Sequence, residues 1–216
     1  MAAPLSLPSS IGFTEYDLSP VRTKDMAMME GRRSEEAESG TPYWTLSATT
    51  GHLENSQYDE LQAWLMDVSD GGGCFLAYDV FRPRPRAYGD VPLSGMRAGG
   101  GAFDGTATLD ARTNARQATV SGLPAGFVIN RGCNIGFRRS SLIRSLHVVT
   151  KAVTANASGV AVVEFRYGLD AMFVPTGTTV DFEKPACVMT LDPGFATPKA
   201  WGSRRVSINA QEAFFS

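Results

Sequence analysis

Alternating apolar and polar positions in residues 43–50 predict the first strand of an organising unit. Trp44, Leu46 and Ala48 fall on one side of the chain, and threonine and serine side chains fall on the other. A period of two residues is typical of a strand with one buried face. We therefore expect a half-buried strand over residues 43–50.

The apolar spacing then changes to that of a helix, which we place at about residues 56–70. Its apolar stripe consists of Tyr58, Leu61, Leu65 and Val68, with Trp64 beside them. The glycines at 71–73 end the helix, and a second alternating segment follows at residues 74–81. A strand, helix, strand unit of this kind should pack its helix across a sheet. The expected core anchors are Trp44, Leu61, Trp64, Leu65 and Phe75.

The chain changes character after residue 81. The sequence Arg82-Pro83-Arg84-Pro85-Arg86 excludes a helix or a central strand, because each proline lacks a donor and restricts the residue before it. A glycine-rich segment up to Gly105 is expected to be a long surface loop. Short strand candidates separated by turn signals follow it. They are residues 118–123, 127–130, 135–138, 142–154, 160–167 and 179–182.

The remaining segments of the chain give three further expectations. Residues 146–153 and 160–166 flank a turn containing asparagine and glycine, which predicts a hairpin. Residues 1–40 give no clear element, and the polar, charged stretch 31–40 is expected to be an exposed turn or loop. Residues 186–191 read as one more strand, and residues 206–215 as a closing strand that re-enters the first sheet.

The predicted fold is mainly β: a β-sandwich with one packed α-helix plus an inserted small all-β, barrel-like domain. Residues 1–81 together with 192–216 form the sandwich domain, and residues 82–191 form the inserted loop and β domain. The 216-residue chain is 43% hydrophobic and 19% charged, which is ordinary for a globular protein. No apolar run approaches a membrane span, and the amino terminus lacks a signal-peptide pattern, so we expect synthesis in the cytoplasm and no membrane insertion.

The net charge of −2 hides an uneven distribution. Residues 1–81 carry 4 basic and 13 acidic side chains, whereas residues 82–144 carry 10 basic and 3 acidic ones. Opposite charges of this kind can join copies of one chain in a ring, or they can neutralise each other within one subunit. For the first alternative, the candidate subunit interface consists of Arg82, Arg84 and Arg86 of one copy and Glu35, Glu36 and Glu38 of the next.

Residues that would support catalysis are sparse. His52 and His147 lack metal partners at ligand spacing, and the glycine triplets are not followed by Lys-Ser or Lys-Thr as in a phosphate-binding loop. Cys74, Cys133 and Cys187 are odd in number and far apart, so neither a disulfide framework nor a zinc site is indicated. The motifs of common hydrolases and of EF-hand calcium loops do not occur. We expect no enzyme activity, cofactor, metal or sequence-specific binding of nucleic acid.

Three stretches resemble the distal tail proteins of long-tailed bacteriophages. The first combines Tyr43–Leu46, Tyr58–Leu65 and Phe75–Asp79 as a strand, helix and strand. The second resembles the β-rich insert of many such proteins, and the third is the closing strand. The insert motifs are Ile135–Phe137, Leu146–Thr150, Asn156–Ala161 and Lys184-Pro185.

The resemblance implies a structural virion component at the tail tip. Such a protein forms a homohexameric ring between the tail tube protein and the baseplate hub protein, with a central channel that passes DNA. The tape-measure protein and tail fibres are further candidate partners. The alternative function is a carbohydrate-binding or host-surface-binding β module of a phage tail. That alternative was suggested by the aromatic residues Tyr88, Phe103, Tyr167 and Trp201.

Overall fold

Two six-stranded sheets and one α-helix dominate the described part of the chain. The computed structural model describes residues 3–22, 24–29, 33–38, 41–69, 73–193 and 204–214. The fold is therefore mainly β with a single described α-helix, as predicted. In chain order the elements are β1 Leu5–Ser6, β2 Phe13–Val21, β3 Lys24–Met29, β4 Arg33–Glu38, β5 Tyr43–Thr50, α1 Asn55–Ser69, β6 Phe75–Ala77, β7 Thr106–Asn114, β8 Gln117–Ser121, β9 Val128–Ile129, β10 Asn134–Arg138, β11 Arg144–Val148, β12 Val153–Thr154, β13 Ala161–Glu164, β14 Thr179–Asp181, β15 Cys187–Leu191 and β16 Ser207–Glu212.

The first sheet has the strand order β1-β6-β15-β16-β5-β2. Two of its inner strands, β5 and β16, form an antiparallel pair in which Ile208 lies opposite Ala48 and Ala210 lies opposite Leu46. These four side chains are at most 2% exposed. Alternation in both strands therefore buries one face of this sheet, and the closing strand enters it as predicted.

Helix α1 covers the buried face of the first sheet. Its buried residues are Leu61, Trp64, Leu65 and Val68, as predicted, and Tyr58 of the predicted stripe is only partly buried. The indole ring of Trp64 lies edge-on to Phe75 with 5.1 Å between ring centroids. All five expected core anchors lie in the hydrophobic cluster between the helix and the sheet.

Strand β15 belongs to the first sheet, although it lies at the end of the predicted insert. It pairs with β6 on one side and with β16 on the other, so residues 187–191 belong to the first sheet. The prediction that these residues belong to the insert is therefore wrong, because a strand bounded by Pro185 and the Asp192-Pro193 turn carries no signal of its partners. The expected strand at 74–81 is also shorter, since only residues 75–77 pair. The carboxylate of Asp79 accepts hydrogen bonds from the backbone N–H groups of Phe81 and Arg82 and turns the chain there.

The second sheet has the strand order β11-β10-β14-β7-β8-β13 and its own hydrophobic core. Leu109, Val120, Phe137 and Val180 in this core are fully buried. Strand β7 was not predicted, because only Ala107 and Leu109 of its nine residues point into the core. Register shifts between β7 and β8 also break the alternation on which sequence prediction depends.

The predicted hairpin of residues 146–153 and 160–166 forms only in part. Its turn is present, since the Asn156 N–H donates to the Val160 carbonyl at 2.9 Å and Gly159 has a φ of +72°. An added Cβ at Gly159 would lie 2.1 Å from the Leu123 carbonyl oxygen, so this position requires glycine. The strands themselves pair elsewhere, β11 with β10 and β13 with β8. A single bridge between Val149 and Phe165 connects the two predicted hairpin strands.

Strands β3 and β4 form a two-stranded ladder of their own, which we call the arm. The arm lies in the chain between β2 and β5, which are themselves paired in the first sheet. The loop expected over residues 31–40 is therefore wrong for residues 33–38. The polar composition suggested a loop, but a two-stranded ladder does not require a continuous apolar face. Gly31, Arg32, Ser39 and Gly40 lie outside the described residues.

Arg97 organises the glycine-rich loop that precedes β7. Its guanidinium group donates to the carbonyl oxygens of Ala102 at 3.0 Å and Gly122 at 2.9 Å. It also donates to the hydroxyl of Thr106 at 3.0 Å and to the carboxylate of Asp104 at 3.2 Å. The loop is irregular, as predicted, but one side chain ties it to the second sheet.

We expect Arg97→Ala to lower the free energy of unfolding by about 2–3 kcal/mol, because four hydrogen bonds disappear together. Arg131→Ala is the matched control, since Arg131 is exposed and should change stability by less than about 0.5 kcal/mol. Urea unfolding of the full chain measures both values. Equal effects of the two substitutions would contradict the assigned role of Arg97.

Candidate functional site

The predicted arginine interface is partly engaged within the subunit. Arg82 Nε donates to the carboxylate of Asp79 at 2.9 Å, and Arg84 bonds both carboxylate oxygens of Glu183, the closer at 2.5 Å. The Arg84 side chain is only 7% exposed. Arg86 begins a 3-10 turn and is exposed. Arg86 is therefore the candidate among the three that faces solvent without an ion pair in the described structure.

The acidic half of the predicted interface lies on the arm. Glu35, Glu36 and Glu38 belong to β4, where Glu36 lies opposite Met26 and Glu38 lies opposite Lys24 in the ladder register. The contact between these acids and the arginines of another copy remains a prediction.

The aromatic residues suggested for sugar binding do not form one platform. Phe103 is 3% exposed, and the ring of Tyr88 stacks on Phe127 with 4.8 Å between centroids. The ring of Tyr167 lies under the guanidinium group of Arg22 at 5.1 Å. Trp201 lies outside the described residues. No described observation therefore favours a carbohydrate site at these positions.

A cavity of about 310 Å³ lies where the two sheets meet. Strand β11 of the second sheet, the segment 167–174, the start of β5 and the end of β16 contribute its walls. Its apolar and aromatic walls include Trp44, Leu146, Tyr167, Phe173 and Phe214. A cavity of this size with few polar groups is typical of a small-molecule site.

Trp44 holds the two sides of this cavity together. Its indole Nε1 donates to the carbonyl oxygen of Leu146 in β11 at 2.8 Å. Its backbone N–H donates to Oε2 of Glu212 in β16 at 3.0 Å. With only 4% of its surface exposed, Trp44 contributes buried area and two directed hydrogen bonds at the same point.

Glu212 is the partly buried acid at the end of β16 that lines the cavity. Burial raises the pKa of Glu212 to about 7, and the hydrogen bond from the Trp44 N–H opposes that shift. The residue continues the inward series Ile208, Ala210, Glu212 of the closing strand. That alternation was readable in the sequence and could have identified Glu212 as a carboxyl group on a buried face.

Ser145 and His147 form a polar pair beside the cavity. The Ser145 hydroxyl and His147 Nε2 are 2.8 Å apart, and the imidazole lies against the rings of Phe137 and Phe165. Burial lowers the pKa of His147 to about 4, and a weaker interaction with the backbone of Tyr167 acts to raise this pKa. The imidazole is therefore neutral near pH 7. Its Nδ1 makes no hydrogen bond within the described structure, so the orienting carboxylate of a serine hydrolase triad is not found there.

Comparison of the chain with models of known protein families finds no match, and comparison with curated proteins finds no significant similarity. Among the described residues, no cluster of three or more histidine, cysteine or acidic side chains could hold a metal ion. The described helix is too short and too polar to cross a membrane. All three cysteines are buried and free.

We expect Glu212→Gln to stabilise the protein above neutral pH. The folded state holds the Glu212 proton more tightly than the unfolded state, because its pKa of about 7 exceeds the ordinary value of about 4.3. Stability is therefore lost as the pH rises from the unfolded to the folded pKa. Glutamine keeps an acceptor for the Trp44 N–H but carries no charge.

Urea unfolding of both proteins at about pH 5 and about pH 8 measures this effect. The stability of the variant relative to the wild type should rise by roughly 1–2 kcal/mol between these two values. His147 titrates equally in both proteins and cancels from the comparison. A difference between the proteins that does not change with pH would contradict the burial of an ionisable carboxyl group at this position.

Proposed function

We propose that the chain is a structural component of a phage tail tip, localised in the virion. It forms a ring, expected to be hexameric, between the tail tube and the baseplate hub and leaves a channel for DNA. Under this proposal the first sheet and α1 belong to a ring-forming β-sandwich, and the second sheet belongs to an inserted barrel-like β domain. Its role is structural and not enzymatic.

The observation that carries the proposal is the arm. A two-stranded ladder is marginally stable in water unless something packs against it. The backbone groups of β3 and β4 pair with each other. The arm follows β2 and precedes β5 in the chain, and these two strands are paired in the first sheet. A neighbouring copy of the same chain would provide the missing partner for the outer edges of the arm. Head-to-tail contacts repeated in this way close into a ring.

Charge favours contact between copies of the chain. Strand β4 contains Glu35, Glu36 and Glu38, whereas the segment 82–144 carries a net charge of +7. Arg86 is the exposed arginine closest in sequence to the two that are paired within the subunit. Opposite charges on two regions of one chain guide the approach of identical subunits and fix their orientation.

We expect reversal of the acidic arm residues, Glu35→Lys, Glu36→Lys and Glu38→Lys together, to weaken assembly at least tenfold at about 0.1 M salt. The matched control reverses Glu54, Asp59 and Asp67, three exposed acids of the α1 region, and changes the net charge equally. Native mass spectrometry of the full chain, and co-sedimentation with purified tail tubes, measure assembly.

The wild type and the control should form closed oligomers or join the tubes, and the arm variant should do neither. The design leaves Arg82 and Arg84 unchanged, because reversing them would place carboxylates beside Asp79 and Glu183 in the folded subunit. A wild type that stays monomeric and does not bind tail tubes would refute the ring. Normal assembly of the arm variant would show that the acidic residues of the arm do not contribute to the ring contact.

A further inference from the structure

The cavity between the two sheets contains a carboxyl group without a positively charged partner. Glu212 forms one hydrogen bond in the described structure, from the Trp44 N–H to Oε2, and no ion pair with a described basic side chain. Oε1 of the same group is left for another donor. A partly buried carboxylate is stabilised by a positively charged partner, since even partial removal from water is unfavourable for a charge.

The basic groups that line the same cavity are already engaged. Arg144 lies 3.8 Å from the carboxylate of Asp181, and its Nε donates to the Ser141 carbonyl at 3.1 Å. His147 is neutral and shares a hydrogen bond with Ser145. Neither side chain therefore supplies the positive charge that Glu212 lacks.

The walls of the cavity favour a ligand that carries a positive charge on an apolar group. Trp44, Tyr167, Phe173 and Phe214 contribute aromatic rings, whose faces attract cations and whose surfaces bind apolar groups. Glu212 would repel an anion, and no cluster of three or more histidine, cysteine or acidic side chains among the described residues could hold a metal ion there. The volume of about 310 Å³ corresponds to roughly ten water molecules, enough for a small arylalkylamine.

We propose that this cavity binds a primary ammonium group carried on an apolar or aromatic stem. The ammonium group donates to Oε1 of Glu212, and the stem lies against Trp44, Tyr167 and Phe173. A free amine and a lysine side chain of another protein share this chemistry. The test of this site does not depend on ring formation, because it measures ligand binding to the full chain.

Calorimetric titration of the full chain with phenethylamine at about pH 8 tests the site. We expect saturable binding, at least tenfold weaker binding of uncharged 2-phenylethanol, and no detectable binding of phenylacetate. Glu212→Gln should weaken phenethylamine binding at least tenfold. Asp170→Asn is the matched control, because Asp170 lines the cavity but is exposed. This control should change the affinity by less than threefold.

The wild-type protein supplies a second test that needs no variant. Amine binding requires the ionised carboxylate, so the affinity should fall at least threefold between about pH 8 and about pH 6, with proton release on binding. A parallel titration with Nα-acetyl-lysine amide, which keeps its side-chain ammonium group, tests whether the site accepts a lysine side chain of a protein as well as a free amine. Equal binding of phenylethanol, unchanged affinity of Glu212→Gln, or no binding of either amine would overturn the proposal.

Discussion

The hydrogen bond from the Trp44 indole to the Leu146 carbonyl is the contact on which the arrangement of the two sheets depends. It joins β5 of the first sheet to the edge strand β11 of the second at a distance of 2.8 Å. The same residue holds Glu212 through its backbone N–H. Trp44 thus bonds the second β unit through its side chain and holds Glu212 through its backbone. Loss of this tryptophan would remove buried area and leave the Leu146 carbonyl without its partner.

The junction around Trp44 contrasts with the arm, which lies in the chain between β2 and β5 of the same sheet. At the junction, the polar groups lie among aromatic walls, and their hydrogen bonds are short and directed. The arm is a separate ladder that the described part of the subunit does not extend. The junction holds the two sheets of the subunit together. The proposed ring places the arm at contacts with neighbouring copies.

The elements that the sequence predicted correctly are those in which one strong periodicity determines the structure. Strand β5 and helix α1 each bury one face against the same core, so Trp44, Leu61 and Phe75 were identifiable from spacing alone. The closing strand β16 was identifiable for the same reason. These elements contribute most of the core of the first sheet.

Pairing partners, by contrast, are not contained in local periodicity. Strand β13 pairs with β8 and not with its predicted hairpin partner, because long-range packing and not the turn selects its neighbour. The ion pair of Arg84 with Glu183 joins residues 99 positions apart, and a proline-rich local sequence gives no sign of it. Glu212 was missed because a carboxyl group at an inward position contradicts the usual preference for apolar residues there. This inward carboxyl group is one of the residues that line the cavity.

Ring formation at the end of a tail tube is tested most directly by electron microscopy of purified tail tubes incubated with the full chain. We predict a closed ring at one end of each tube, with rotational symmetry and an open central channel. Bare tube ends, together with particles of single-subunit size in the background, would contradict the proposed function.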